Sequence, residues 1–226
     1  VGLAGGYAEY VAVSEDNVAT VPESVTDDQA AIAACTIGTI LNAVSDVGRV
    51  RPGERVLVTG AGGGLGIHAV QLARLAGAEV IAVTTSPEKA ERVRAAGADT
   101  VIVPRRGEDF SPAVLDATAG EGADVAIDTV GTPVFAAIRR SMARGGRWLL
   151  IGQVSGEFVS FNPAQLFLRG ISLLSSVSTT REQLRTSMRL IEQGRITPII
   201  ETTMALEQAA QAHSQVEQGR VLGRLL

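Results

Sequence analysis

A glycine-rich run at residues 60–66 has the composition of a loop that cradles phosphate groups. It reads Gly60-Ala61-Gly62-Gly63-Gly64-Leu65-Gly66 and directly follows a short apolar segment. Glycines in such a turn let backbone N–H groups approach a pyrophosphate, and the helix that follows contributes the positive end of its dipole. Counted back from Gly66, alanine replaces the first glycine of a strict GxGxxG motif. We predict that a dinucleotide binds at Gly62, Gly63, Gly64 and Leu65; a tight turn without a ligand is the alternative.

The residues after the second predicted strand indicate which dinucleotide fits. NAD-binding proteins place an acidic residue about 20 residues after the loop, where it holds the ribose hydroxyls. This sequence has Thr84, Thr85 and Ser86 there, followed by Lys89. Hydroxyls and an ammonium suit a 2′-phosphate, and Arg105, just after the third predicted strand, adds a second cation. The prediction is therefore NADP(H); alternatively, Ser86 only caps a helix and Arg105 lies in a solvated loop.

These residues lie in a regular alternation of predicted strands and helices. Short apolar segments typical of buried strands occupy 55–60, 79–84, 100–103, 124–130, 147–152 and 171–176. Helical patterns lie between them, at 66–76, from 87 to just before Gly97, near 108–118 and near 132–143, and another follows at 180–193. This order predicts an α/β fold, a doubly wound parallel sheet of the Rossmann type with about six strands.

The two ends of the chain have different patterns. Residues 7–13 alternate with the period of a strand, and residues 26–47 have a helical pattern that we expect Gly38 to divide into two helices. The tail combines a strand at 198–204, a helix at 206–218 and a final strand at 220–226. The tail therefore departs from the regular alternation of strands and helices that precedes it.

Composition excludes several classes of function. Hydrophobic residues make up 46% of the 226 residues, enough for a sizeable core, and 20 basic against 24 acidic residues give a net charge of −4. No basic patch points to nucleic acid, and we expect no apolar run to approach the roughly 18 residues of a membrane span. One cysteine fits a reducing compartment, and Val1 does not open a signal peptide, so the predicted location is cytoplasmic.

With these motifs in place, the chain resembles the medium-chain dehydrogenase/reductase superfamily, which includes zinc alcohol dehydrogenases, quinone oxidoreductases and acryloyl-CoA reductases. The resemblance rests on GGYAEYVAV, ACTIGTILNAV, the segment 51–99, GGRWLLIG and the terminal GRVLGRLL. It implies a C-terminal remnant of a GroES-like catalytic β domain at 1–25, an NAD(P)-binding Rossmann domain at 26–196 and a tail returning to the catalytic domain at 197–226. Most of the GroES-like domain, with its usual zinc ligands and catalytic donors, would then lie outside these 226 residues.

The resemblance also implies further cofactor contacts. Thr39 would lie beside the nicotinamide, and Val130 and Gly131 would pass beneath the adenosine ribose. Main-chain groups of three residues would face the nicotinamide carboxamide: Ile151, Gly152 and Gln153. Asp128, which ends the fourth predicted strand without a base partner in sight, is predicted to have a structural hydrogen-bonding role.

In the zinc branch, the residue that matches Cys35 is a metal ligand. A catalytic zinc needs three protein ligands, and neither His68 nor His213 is spaced to complete such a site. We therefore predict no metal, with Cys35 as a small buried residue and His68 on the surface of its helix.

The resemblance implies a partner as well. In the superfamily the edge of the sixth strand pairs with a second subunit, and an open apolar edge is prone to aggregation. We therefore predict a homodimer through the strand near Ile171–Ser176.

The predicted function is hydride transfer from NADPH to an activated C=C or C=O of a small molecule, such as a quinone, enone, enoyl thioester or aldehyde. This chain would be the cofactor-binding portion, and no catalytic residues are assigned. A non-catalytic NADP(H)-binding or interaction module is the alternative. A third possibility, an S-adenosylmethionine methyltransferase, would require an acidic residue at the end of the second strand, where this sequence has threonines.

Overall fold

Six parallel strands form the central sheet of the computed structural model, which describes residues 6–226. The strands are β1 (Arg55–Thr59), β2 (Glu79–Val83), β3 (Thr100–Ile102), β4 (Ala123–Asp128), β5 (Met142–Leu150) and β6 (Ser172–Ser175). Their spatial order is β3-β2-β1-β4-β5-β6, and every neighbouring pair is parallel. The predicted doubly wound α/β class is therefore confirmed, with the strand order reversing between β1 and β4.

Helices cover both faces of this sheet. They are α1 (Asp27–Val47), α2 (Gly64–Leu75), α3 (Pro87–Ala95), α4 (Ser111–Ala117), α5 (Phe135–Ser141), α6 (Ala164–Phe167), α7 (Arg181–Glu192) and α8 (Ala209–Glu217). Alternate residues of β1 point to opposite faces: Val56 and Val58 join the core beneath α1, α2 and α7, whereas Leu57 joins the core beneath α4 and α5. Two hydrophobic cores, one on each face, hold the sheet in place.

The helix α1 is continuous, which corrects the expected break at Gly38. Gly38 has ordinary helical angles (φ −64°, ψ −40°), and the helix widens into π-helical turns at Ala33–Gly38 and Asn42–Val47. A Cβ at Gly38 would lie 2.5 Å from Oγ1 of Thr179, so this glycine allows close packing rather than a break.

Among residues 6–226, one helix, α1, is long and apolar enough to cross a membrane by length and composition alone. It has 21 residues, and an 18-residue window of it has a mean hydropathy of 1.5. The expectation that no segment approaches this length and hydropathy is therefore wrong. Ile37, Ile40 and Val44 of α1 are buried in the core against the sheet. A core helix can meet the same criteria as a membrane span.

The segment 7–13 is not a strand, contrary to its alternating pattern. Tyr7 and Tyr10 are largely exposed, and no strand occurs anywhere in residues 6–25. A strand needs a neighbour to satisfy its backbone groups, and none of the described residues provides one here. Residues 1–5 of the expected remnant lie outside the described residues, and the three predicted domain boundaries stay predictions.

The tail forms a small separate sheet that reaches back to the glycine-rich loop. Strands β7 (Ile200–Thr202) and β8 (Arg224–Leu225) pair in parallel, and both are shorter than the predicted segments. Next to β8, Gly223 forms an isolated parallel bridge with Gly63, and its N–H donates to the Gly62 carbonyl at 3.3 Å. The C-terminal segment therefore lies directly against the loop at the carboxyl end of β1.

Candidate functional site

A cleft of about 530 Å³ opens at the carboxyl ends of β1, β2 and β4. Ligands of doubly wound sheets bind in the crevice where the strand order reverses, and this cleft lies at that point. Ten of the predicted cofactor-binding residues line it: Gly62, Gly63, Gly64, Leu65, Thr84, Thr85, Ser86, Lys89, Arg105 and Val130. The other five do not line it directly: Thr39, Gly131, Ile151, Gly152 and Gln153.

The glycine-rich loop turns sharply and delivers the chain into α2. Gly60 has a φ of +62°, and a Cβ at Gly66 would lie only 2.1 Å from the Gly60 carbonyl oxygen. The first-turn N–H groups of α2 have no partner inside the helix, so they are available to an anion in the cleft. The loop therefore has the backbone geometry that a pyrophosphate requires.

Arg224 adds a cation to this end of the cleft, and sequence reasoning missed it. Its Nε donates to Oγ1 of the buried Thr36 at 3.0 Å, and a Cβ at Gly64 would lie 2.5 Å from the same Nε. The guanidinium therefore lies at the N-terminus of α2, where its charge adds to the positive end of the helix dipole. The signal in the sequence was an arginine between Gly223 and Leu225 in the final predicted strand, and this pattern does not reveal the loop that the side chain reaches.

Hydroxyls and cations line the part of the cleft after β2. The backbone N–H of Ser86 donates to Oγ1 of Thr84 at 3.3 Å, and Oγ of Ser86 donates to the Glu88 carboxylate at 2.7 Å. That hydrogen bond from Ser86 is the main reason that the pKa of Glu88 is lowered. The ammonium of Lys89 is half-buried, and burial lowers its pKa.

The charges that line the cleft favour an anionic ligand. The cations are Lys89, Arg105, Arg106 and Arg224, and the one acid in the lining is Glu108, so the balance is 4 − 1 = +3. Glu108 accepts the backbone N–H of Arg105 at 2.7 Å, which fixes the loop after β3. A lining with this excess of positive charge raises the local concentration of anions.

Asp128 organises the wall of the cleft after β4. Its Oδ1 accepts the hydroxyl of Thr59 at 2.8 Å and the backbone N–H groups of Val130 and Gly131 at 3.0 Å each. Burial raises the pKa of Asp128, and these hydrogen bonds oppose that rise. The predicted structural hydrogen-bonding role of Asp128 is confirmed.

The predicted residues after β5 lie against the same wall without lining the cleft. The Gln153 side chain donates to Oγ1 of Thr132 at 2.6 Å and to the Glu157 carbonyl at 3.1 Å. A Cβ at Gly131 would lie 2.9 Å from the Gly152 carbonyl oxygen, so the loops after β4 and β5 are in close contact. Ile151 donates its N–H to the Asp128 carbonyl at 3.0 Å.

Two more predicted contacts differ in their surroundings. Thr39 is buried in α1 and does not reach the cleft. Val130 reaches it directly, and its carbonyl accepts the N–H of Val154, another lining residue, at 3.0 Å. The cleft is therefore lined by the glycine-rich loop, by residues at the ends of β2 and β4, and by Val154 after β5, but not by Thr39.

The residues that could ligate a metal are far from forming a site. Cys35 is exposed, contrary to the prediction that it is buried. His68 is fully buried rather than on the helix surface: its Nδ1 lies 2.7 Å from the Gly64 carbonyl, and its Nε2 accepts the Ile199 N–H at 3.0 Å. His213 is exposed beside the Tyr7 hydroxyl at 2.9 Å. Among residues 6–226, no group of three or more His, Cys, Asp or Glu side chains could hold a metal ion.

Burial has a strong effect on His68. Desolvation lowers its pKa from 6.5 to about 4, the hydrogen bond with Gly64 opposes this, and the charge of Arg224 adds to the lowering. The imidazole is therefore neutral near neutral pH, with a proton on Nδ1 and an acceptor at Nε2. It joins the first turn of α2 to the tail.

Comparisons with known proteins relate this architecture to dehydrogenases. The model of the zinc-binding dehydrogenase family matches residues 64–193. An acryloyl-coenzyme A reductase of Sulfurisphaera tokodaii is 33% identical over 225 residues, which cover 99% of this chain and 65% of that relative. The chain therefore spans slightly less than two thirds of this curated relative.

Solved structures with the same fold include users of both nicotinamide cofactors. An NAD-dependent alcohol dehydrogenase is 36% identical with a TM-score of 0.91, covering 98% of this chain and 64% of that structure. A mycobacterial protein solved in complex with NADPH is 29% identical with a TM-score of 0.89, covering 99% of this chain and 72% of that structure.

Proposed function

The chain belongs to the zinc-binding dehydrogenase family of the medium-chain dehydrogenase/reductase superfamily, and on that premise we propose that it is the cofactor-binding portion of an NADPH-dependent oxidoreductase. Its curated relatives include oxidoreductases: acryloyl-CoA reductases, alcohol dehydrogenases and a quinone oxidoreductase. The proposed reaction is reduction of an activated C=C or C=O in a small molecule such as a quinone, enone, enoyl thioester or aldehyde.

The observation that carries the proposal is the cleft at the reversal of strand order. It combines a glycine-rich loop, the N-terminus of α2 and Arg224 around one space. These groups would hold the pyrophosphate of a dinucleotide, since they offer backbone N–H groups and a guanidinium at the same place. Bound NADPH would supply a hydride; the protein would orient the cofactor and exclude water.

The preference for NADP(H) over NAD(H) rests on the residues after β2 and β3. The cleft presents hydroxyls of Thr84, Thr85 and Ser86 together with the cations Lys89 and Arg105. A 2′-phosphate would accept hydrogen bonds from the Thr84 and Thr85 hydroxyls and from the Arg105 guanidinium. No aspartate or glutamate from the end of β2 lines the cleft to hold two ribose hydroxyls instead.

The residues of this chain do not fit the zinc in the family's description. Cys35 is exposed, and both histidines are committed to other partners: His68 to Gly64 and Ile199, and His213 to Tyr7. Catalytic zinc needs three protein ligands around one point, and residues 6–226 contain no such group. The proposed mechanism therefore includes no step at a metal.

We also propose that the chain forms a homodimer through β6. This strand is at the edge of the sheet and is paired only with β5 in the described structure. Leu173 is exposed on the strand, and Val177 is exposed two residues after its end. Light scattering of wild type and Leu173→Lys tests this: the expected result is a dimer that the charge shifts to monomer. A monomeric wild type at all concentrations contradicts the proposal.

Calorimetry with NADPH and NADH tests the cofactor assignment. Wild type is expected to bind NADPH at least about tenfold more tightly, because the 2′-phosphate gains charge-assisted hydrogen bonds. Arg105→Ala should bring the affinity for NADPH closer to that for NADH, because it removes a cation proposed to meet the 2′-phosphate. Arg94→Ala is the matched control, since Arg94 pairs with Glu91 on α3 outside the cleft lining. Equal or tighter binding of NADH by wild type overturns the NADP(H) assignment.

Turnover assays test the oxidoreductase part. NADPH consumption is measured with a quinone, an enoyl thioester and an aldehyde, and reduction of at least one of them is expected. Tight NADPH binding without turnover of any acceptor contradicts hydride transfer by this chain and favours the alternative, a non-catalytic NADP(H)-binding module.

A further inference from the structure

Lys89 connects two parts of the chain that are remote in sequence. It is the only lysine among the 226 residues and lies in the first turn of α3. Its Nζ donates to the carbonyl oxygens of Gly219 and Val221, at 2.6 Å each. The aliphatic part of the side chain packs on the glycine-rich loop, because a Cβ at Gly62 would lie 2.7 Å from Cδ of Lys89. One side chain therefore touches both the loop and the tail.

The two carbonyls belong to a segment that suits a cation. Gly219 follows the end of α8 with a φ of +70°, and its N–H donates to the Val216 carbonyl at 2.9 Å. Both carbonyls lie just beyond the C-terminal end of α8 (Ala209–Glu217), where the helix dipole favours a positive charge. The Lys89 ammonium donates to both of them, so its position is explained without any ligand.

The same segment then crosses the loop. We call residues 219–224 the tail strap. Two backbone hydrogen bonds also hold the strap. The Gly223 N–H donates to the Gly62 carbonyl at 3.3 Å, and the Arg224 N–H donates to the Ile199 carbonyl at 2.9 Å. Its last residue brings the guanidinium to the N-terminus of α2. The strap is thus one wall of the cleft, held at its first half by Lys89.

We propose that Lys89 is a positioning residue that latches the tail strap over the glycine-rich loop and so places Arg224 at the phosphate-binding end of the cleft. The latch exists in the chain without a ligand; its effect on cofactor binding rests on the proposed function. A lysine that served only the 2′-phosphate would affect NADPH alone. A latch affects NADPH and NADH alike, because both have the pyrophosphate that Arg224 would meet.

Hydrogen exchange in the ligand-free protein tests the latch directly. Lys89→Ala should speed exchange of the amides of residues 219–226 by about tenfold, since two hydrogen bonds from a charged group are lost. Lys89→Arg keeps the cationic donors and should restore much of the protection. Arg94→Ala removes a cation from the same helix, and its tail exchange should equal that of wild type. Wild-type exchange in Lys89→Ala overturns the proposal.

Calorimetry with both cofactors tests the consequence. Lys89→Ala should weaken NADPH and NADH by similar factors, each about tenfold. A loss confined to NADPH contradicts the positioning role and assigns Lys89 to the 2′-phosphate alone. If wild type binds neither cofactor but the amides of its tail strap are protected from exchange, the proposed function is contradicted and the latch role of Lys89 is supported.

The single lysine allows a test that needs no variant. An N-hydroxysuccinimide acetate reagent acylates free amines, and peptide mass spectrometry separates Lys89 from the N-terminal amine. In the folded wild type, Lys89 should react about tenfold more slowly than in the protein unfolded in urea, because its nitrogen is engaged by two carbonyls. Equal rates in the two states overturn the latch even if Lys89→Ala does not fold.

Discussion

The buried histidine of α2 makes the stability of the chain depend on pH in a way that can be calculated. His68 is wholly inaccessible, and burial lowers its pKa from 6.5 to about 4. Between these values the unfolded chain binds a proton that the folded chain does not. The folded state is therefore fully stabilised above about pH 6.5 and loses stability as the pH falls toward 4.

The size of this effect follows from the shift. A lowering from 6.5 to about 4 corresponds to about 3 kcal/mol in total, at 1.36 kcal/mol for each pH unit. Between about pH 7.5 and about pH 5, the linkage relation gives a loss of about 2 kcal/mol from this residue alone. The main structural cause is burial, which disfavours the charged imidazolium, and the positive charge of Arg224 adds to it. A protonated Nε2 also could not accept the Ile199 N–H.

Urea unfolding at a series of pH values measures the effect. The perturbation is His68→Gln, because glutamine offers one donor for the Gly64 carbonyl and one acceptor for Ile199 but does not titrate. The difference in unfolding free energy between wild type and variant should shrink by about 2 kcal/mol from about pH 7.5 to about pH 5. His213→Gln is the control, since His213 is exposed on α8. A difference that stays constant with pH refutes the reasoning.

Two substitutions test the walls of the cleft. Gly66→Ala places a Cβ 2.1 Å from the Gly60 carbonyl oxygen. We therefore expect urea titration to show a loss of about 2–3 kcal/mol in the free energy of unfolding. Gly6→Ala is the control and should have no effect, because a Cβ there meets nothing within 4 Å. Asp128→Ala deprives the Thr59 hydroxyl and two backbone N–H groups of their acceptor and should cost about 2–4 kcal/mol in the same assay. The exposed Asp116→Ala is its control, and equal effects of the two aspartate substitutions contradict the assigned role of Asp128.

The strands of the sheet could be predicted from sequence because each is a short apolar run covered on both faces. The segments predicted at 55–60 and 79–84 correspond to β1 (Arg55–Thr59) and β2 (Glu79–Val83). The glycine-rich loop could also be predicted, because a run of glycines indicates a tight turn of the backbone. Local pattern was sufficient wherever neighbours in sequence are also neighbours in space.

Long-range contacts could not be predicted in this way. Whether His68 is buried depends on the tail that covers it, and Arg224 reaches a helix start far away in sequence. The segment 7–13 has a strand's alternation but no pairing partner among the described residues, and pattern alone cannot supply one. Within α1, the effect of Gly38 was decided by the close approach of Thr179 rather than by its own flexibility.

The crossing of the glycine-rich loop by residues 219–224 sets an order of events during synthesis. Residues 60–66 leave the ribosome long before the segment that covers them, so the nascent chain can form β1, α2 and β2 while one wall of the cleft is still missing. The cleft closes only when Gly223 reaches the Gly62 carbonyl. Completion of the cleft therefore waits for the synthesis of residues 219–224, and a nascent chain that stops before them would carry the sheet without this wall.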